Sequence, residues 1–138
     1  MSRIYIDTSA LTKLVIDEAE SDWVAKFVDK SLENHDELLI SRVTFGELYC
    51  TLKRVNGIDS SWEDLARTAL SNVKTVEVEL EDYLNAANAN NTLRFADSIH
   101  LQIAKRTLCT HMLVFDAELS AAARGVGLTV PTFPVSGQ

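Results

Sequence analysis

Ile4-Tyr5-Ile6-Asp7-Thr8-Ser9 decides how the rest of the chain is read. A short apolar run ends in an acid and two hydroxyls, and Leu11, Leu14 and Val15 follow at helical spacing as far as Ile16. Such a run reads as a buried central strand over Arg3 to Ile6, with Thr8 or Ser9 placed to cap the helix behind it. In an open parallel sheet, ligands sit beyond the carboxyl ends of the strands, where Asp7 falls. Asp7 is therefore the first candidate for chemistry.

Outward from that stretch, strand and helix signals alternate. Ser21 opens a helix to Lys30 with Trp23, Val24, Phe27 and Val28 on one face, and Leu38 to Ile40 reads as a second buried strand. Thr44 to Val55 carries Phe45, Leu48, Tyr49 and Leu52 at helical spacing, and Asn56 and Gly57 stop it. Ser60 and Glu63 form a capping-box pattern before Trp62, Leu65, Ala66 and Leu70. Val73 to Val78 alternates as a strand, Glu79 to Asn88 and Leu93 to Arg106 read as helices, and Asn88 to Thr92 is a loop. Met112 to Phe115 repeats the opening grammar, apolar strand then Asp116 then a helix from Ala117 to Arg124. Leu128 to Val130 is a last strand before Pro131 and Pro134. This alternation implies right-handed crossovers and a central parallel sheet covered on both faces, an α/β fold in a three-layer α/β/α sandwich. One domain over 1–133 with a short tail over 134–138 is expected.

Composition narrows the function. Hydrophobic residues at 46% and charged residues at 24% over 138 residues describe a globular chain with room for one core. No apolar run approaches the ~18 residues of a membrane span, and the first residues lack the basic start and apolar core of a signal peptide, so the expected location is the cytoplasm. Cys50 and Cys109 stand too far apart for a zinc or redox motif and read as two reduced core thiols. His35, His100 and His111 form no ligand spacing. The formal net charge of −7 argues against a general nucleic-acid coat protein. A local site is still open: setting four of the twenty acids aside around metal leaves sixteen against thirteen bases.

Four acids are the candidates. Asp7 and Asp116 close two strands that, if parallel neighbours, deliver both carboxylates to one cleft, although Asp is also a favoured N-cap. Asp97 falls in the first turn of its helix, where it could answer the helix dipole. Glu47 lies beside Phe45 and Leu48, where a half-buried acid needs a partner. Carboxylates gathered in one cleft repel unless a cation neutralises them, and oxygen ligands without His or Cys select Mg²⁺ or Mn²⁺. Phosphodiester hydrolysis suits that arrangement.

The motifs carrying these acids are Ile6-Asp7-Thr8-Ser9-Ala10-Leu11, Ser41-Arg42-Val43-Thr44-Phe45-Gly46-Glu47-Leu48, Ala96-Asp97-Ser98-Ile99-His100-Leu101 and Leu113-Val114-Phe115-Asp116-Ala117-Glu118-Leu119, followed by Ala121-Ala122-Ala123 and Gly127-Leu128. In order and spacing the chain resembles the PIN-domain family, most closely the VapC-type toxins of bacterial and archaeal toxin–antitoxin pairs. The resemblance implies a Mg²⁺- or Mn²⁺-dependent endoribonuclease whose acidic quartet is Asp7, Glu47, Asp97 and Asp116. Asp7 and Asp97 would hold the metal, Asp116 would help hold it or a second ion, and Glu47 would orient water. Cleavage of tRNA or rRNA, leaving a 3′-hydroxyl and a 5′-phosphate, is implied with it. Many relatives carry Thr or Ser two residues before the last acid, where this chain has Val114. Thr8 and Ser9 stand as supporting hydroxyls beside Asp7.

Lys13, Arg42, Lys53, Arg54 and Arg94 are candidate RNA-phosphate contacts near the acidic motifs, with solvated surface charge as the competing reading. His100 reads as a packed or capping side chain, and Phe45 and Tyr49 as core. The resemblance further implies a homodimer, and a heterotetramer or larger assembly with a small VapB-like antitoxin. The helices bearing Trp23 and Trp62 could offer the antitoxin a groove, with core packing as the competing role. A PIN nuclease of RNA processing and a non-cleaving PIN-like scaffold that binds RNA or protein stay open as alternatives.

Overall fold

The structure, a computed structural model, describes residues 1–56 and 61–134. Four parallel strands form its sheet: β1 (Arg3–Ile6), β2 (Glu37–Ser41), β3 (Lys74–Val76) and β4 (His111–Leu113), in the order β3-β2-β1-β4. β1 pairs with β2 through Ile4↔Leu38 and Tyr5↔Leu39, and with β4 through Tyr5↔Met112 and Ile6↔Leu113. The opening strand is therefore central, with a neighbour on each side.

The pleat sorts these strands into two cores. Tyr5, Leu39 and Met112 point to one face, where they pack with α5 (Leu80–Asn88), α6 (Phe95–Arg106) and α7 (Ala117–Gly125). Ile4, Ile6, Leu38, Ile40 and Leu113 point to the other. There they meet α1 (Thr8–Leu11), α2 (Ser21–Glu33), α3 (Arg42–Asn56) and α4 (Ser61–Leu70). Helices on both faces of a parallel sheet make the expected three-layer α/β/α sandwich.

Several expected elements differ in detail. The helix behind Asp7 is a single turn, α1, continued by a 3₁₀ turn over Thr12–Leu14, and its cap is Asp7 itself rather than Thr8 or Ser9. The strand expected at Leu128 to Val130 is reduced to one parallel bridge, Thr129 with His111. Pro131 follows directly and has no N–H to extend a ladder. Cys109 is buried as expected, but Cys50 is exposed on α3, and both are free thiols. At α5 the expected start is reinforced by a capping box between Glu79 and Asp82. The capping pattern at Ser60 and the stop at Gly57 lie outside the described residues.

No helix among the described residues is long and apolar enough to cross a membrane.

Candidate active site

The parallel pairing of β1 with β4 settles where the two strand-terminal acids go. Ile6 is level with Leu113, and the backbone N–H of Asp7 donates to the carbonyl of Leu113 at 3.0 Å, continuing the ladder to the edge. Asp7 and Asp116 thus leave adjacent strands at the same end of the sheet. Both are N-caps, of α1 and α7, so the capping role and a role in the cleft are not exclusive. A carboxylate has two oxygens. Asp7 Oδ2 accepts from Ser9 Oγ at 2.7 Å and from Ser9 N at 3.4 Å, while its Oδ1 lies 3.8 Å from His100 Nε2. Asp116 Oδ1 accepts from Leu119 N at 2.8 Å, and among the described residues its other oxygen makes no hydrogen bond. Each cap therefore fixes a carboxylate through one oxygen.

Two helices bring the remaining acids. Asp97 sits in the first turn of α6, half-buried, with the Arg94 guanidinium 3.7 Å from its Oδ2. Its pKa is raised, first because burial penalises the charged form and then because of Asp7. Arg94 opposes the rise, and Asp116 adds to it. Asp7 and Asp116 are thus close enough to Asp97 to act on it electrostatically. Glu47 reaches in from α3, where Oε1 accepts from Thr8 Oγ1 at 2.8 Å and contacts His100 Nε2 at 2.7 Å.

His100 is packed, as its sequence position suggests, and it also ties the acids to the core. Only 1% exposed, it lies one helical turn beyond Asp97 and bridges Glu47 to the Tyr5 hydroxyl, which Nδ1 meets at 2.7 Å. Tyr5 donates onward to Ser41 Oγ at 3.0 Å, with Thr44 Oγ1 at 3.3 Å. Burial alone would lower the His100 pKa, but the bond to Glu47 and the charges of Asp7, Glu47 and Asp97 outweigh it, and the net shift is upward. Glu47 moves the opposite way: burial would raise its pKa, and the His100 contact together with the Thr8 hydroxyl brings it down. Both shifts favour an imidazolium–carboxylate pair. As an imidazolium, His100 donates through both nitrogens, and Tyr5, its own pKa pushed up by burial, stays a neutral hydroxyl. Spacing to Asp97 was the one signal in the sequence. The partners lie 95 and 53 residues away and cannot be read from it.

A divalent cation can be tested against this donor set. Among the described residues no three His, Cys, Asp or Glu side chains stand close enough together to ligate an ion as they are. The donors themselves are hard carboxylate oxygens. Asp7 and Asp116 are anchored through single oxygens, and Asp97 carries a charge that burial and Asp7 disfavour. Both nitrogens of His100 are already occupied. The donor chemistry fits Mg²⁺ or Mn²⁺ and not a nitrogen-seeking ion.

The model of the PIN domain matches residues 4–125, which span every one of these side chains. The chain belongs to the PIN-domain family. It is 32% identical over 133 residues to ribonuclease VapC35 of Mycobacterium tuberculosis, covering 92% of this chain and 94% of that one. Among solved structures it resembles VapBC2 from Rickettsia felis, solved with a fragment of promoter DNA, at a TM-score of 0.75 and 10% identity over 94% of this chain and 97% of the other. It also resembles VapC20 of Mycobacterium tuberculosis, a toxin that cleaves the sarcin–ricin loop, at 0.67 and 20% identity over 86% and 94%. These two likenesses concern the fold.

Within the PIN fold, the other expected residues separate. Thr8 Oγ1 donates to Glu47 and Ser9 Oγ to Asp7. Arg94 stands beside Asp97 with its guanidinium in solvent. Lys13 is a correction. It is 9% exposed, ion-paired to Glu18 at 2.9 Å and Glu20 at 3.3 Å, and lies over the Phe115 ring, so its charge is spent within the fold. Arg42 pairs with Glu77 at 2.9 Å, whereas Lys53 and Arg54 are exposed in the last turn of α3. Val114 is buried in the α5–α7 core and offers no hydroxyl. Trp23 stacks on Phe27 and meets Phe115 and Phe133 edge-on, and Trp62 meets Tyr49, so both tryptophans are half-buried core residues.

Proposed function

We propose that this protein is a Mg²⁺- or Mn²⁺-dependent endoribonuclease, acting as the toxin of a toxin–antitoxin pair and cleaving tRNA or rRNA. One observation carries the reading: Asp97 is half-buried beside Asp7 and Asp116, whose charges disfavour its own, at the edge of the sheet in a chain 32% identical to a ribonuclease. Asp7 and Asp97 hold the ion in this reading, and Asp116 completes the set. When bound, the ion supplies charge to offset the phosphate and lowers the pKa of water. The protein's own groups do the positioning. Ser9 and Leu119 N–H orient Asp7 and Asp116, and the Thr8–Glu47–His100–Tyr5 chain holds Glu47 at one rotamer to orient the attacking water. Arg94 meets an adjoining phosphate. Hydrolysis leaves a hydroxyl on the 3′ end of the upstream fragment and the phosphate on the 5′ end of the downstream fragment.

The partner in this reading is a small VapB-like antitoxin, supported by the likeness to VapBC2. A homodimer belongs to it as well, with exposed Leu80, Tyr83, Leu84 and Phe95 as apolar surface for such a contact to cover. Antitoxin-free protein incubated with total RNA and Mn²⁺ is expected to cut it, and EDTA or Asp7→Asn is expected to stop the cutting. Intact RNA under all conditions would favour a scaffold.

A further inference from the structure

Away from the acids, a cavity of about 600 Å³ opens between α5, the 89–94 loop, α6 and the end of α7, with Asn85, Asn88, Asn90, Asn91, Gln102 and Lys105 among its walls. The chain carries twenty acids and a formal charge of −7, yet no acid lines this cavity; five amides and one ammonium group do. Gln102 is only 9% exposed, and among the described residues its amide has no hydrogen-bond partner. Its polar atoms are not sealed in the core, so they reach the cavity. An amide held in place with no protein partner is free to bond whatever enters the cavity. Two neighbours are half-committed: Asn88 Nδ2 donates to the Leu84 carbonyl and Asn91 Oδ1 accepts from Leu93 N–H. That leaves a carbonyl on Asn88 and an NH₂ on Asn91 with fixed polarity.

Side-chain amides present a donor and an acceptor side by side, which matches the edge of a nucleobase, and a lysine beside them suits a phosphate. The volume lies within the usual ~300–1,000 Å³ of a ligand pocket. A second depression shares Asn91 and Ala122 with this cavity and extends to Leu93 and Glu118, next to the first turns of α6 and α7. The two depressions together run from α5 to the first turn of α7, the helix that Asp116 caps.

We propose that this cavity is a nucleotide-binding subsite for single-stranded RNA, in which Gln102 and the asparagines contact one base and Lys105 its phosphate. The subsite rests on the ribonuclease reading of the acids, but it is tested without cleavage. Uncut binding is followed by the side-chain NH₂ resonances of Asp97→Asn protein during titration with short ribo-oligonucleotides of A, C, G or U. The Gln102 and Asn91 signals are expected to shift, with one base preferred. Gln102→Leu should weaken that base by roughly tenfold and flatten the preference. Lys105→Ala should weaken all four alike and reduce the salt slope by about one. Asn85→Asp, at an exposed site, should weaken binding in the same direction and guards against a folding defect at Gln102. Amide signals unmoved while signals around Asp7 respond, or variants that bind like the parent, would overturn the subsite and leave the nuclease reading intact. A response to a short peptide but not to RNA would overturn it in favour of a protein site. Responsive amides in a wild-type protein that cuts no RNA would support the subsite and sink the nuclease reading instead.

Discussion

Replacing His100 with alanine removes the joint between the candidate site and the core, and its cost can be worked contact by contact. The Nε2 contact to Glu47 at 2.7 Å is charge-assisted, but the Glu47 side chain is 40% exposed, so solvent screening reduces it to about 1 kcal/mol. The Nδ1 contact to Tyr5 at 2.7 Å contributes about 1 kcal/mol, because Tyr5 keeps Ser41 and Thr44 as partners. Emptying a buried ring volume adds about 1–2 kcal/mol. His100→Ala should therefore destabilise the metal-free protein by about 3–4 kcal/mol. His100→Gln, which keeps a donor and most of the volume, should lose about half of that. The pH dependence carries a sign. The folded His100 pKa is raised, so its contribution is complete below the ordinary value of about 6.5 and is lost as pH rises through the folded value. The folded Glu47 pKa is lowered, so its contribution is present above the ordinary Glu value and is lost as pH falls through the folded one. The gap between wild type and His100→Ala is thus widest at mildly acidic pH and narrows on both sides. Urea unfolding in EDTA, repeated across pH, measures it. A gap below about 0.5 kcal/mol, or one that grows towards alkaline pH, would refute the reasoning.

Asp97→Asn should stabilise the metal-free protein by up to about 1 kcal/mol, because the folded state disfavours this charge through burial and Asp7. The gain should vanish as pH falls below the ordinary Asp range, and Mn²⁺ should raise the melting temperature of wild type more than that of the variant, both read by thermal unfolding. Lys13→Ala should cost about 1–2 kcal/mol in urea unfolding, since it strips Glu18 and Glu20 of a shared partner and uncovers Phe115. Its RNA affinity should keep the wild-type salt dependence, whereas Arg94→Ala should lower the slope by about one.

What could be read from the sequence follows a physical division. β1 was legible to the residue because an apolar run between Ser2 and Asp7 has one burial solution. The shared grammar of Asp7 and Asp116 was legible because parallel strands carry direction with them. Element ends were less so: the bridge at Thr129 depends on which strand it meets, and the short α1 depends on Asp7 taking the cap. His100 and Lys13 show the larger limit. Each is a charged group whose role is set by partners brought in by the fold, Glu47 and Tyr5 for one, Glu18 and Phe115 for the other. Cys50 was misplaced for a related reason, since helix spacing assigns a face only where the neighbouring helix is known.

Asp7, Asp97 and Asp116, gathered beyond the ends of β1 and β4, are expected to form one metal-dependent cleavage site. Mapping of 5′-phosphate ends in total RNA treated with antitoxin-free wild type or Asp97→Asn, in Mn²⁺, tests it most directly. Discrete new ends from wild type that are absent from the variant are the predicted result; an identical set of ends from both proteins would contradict the claim.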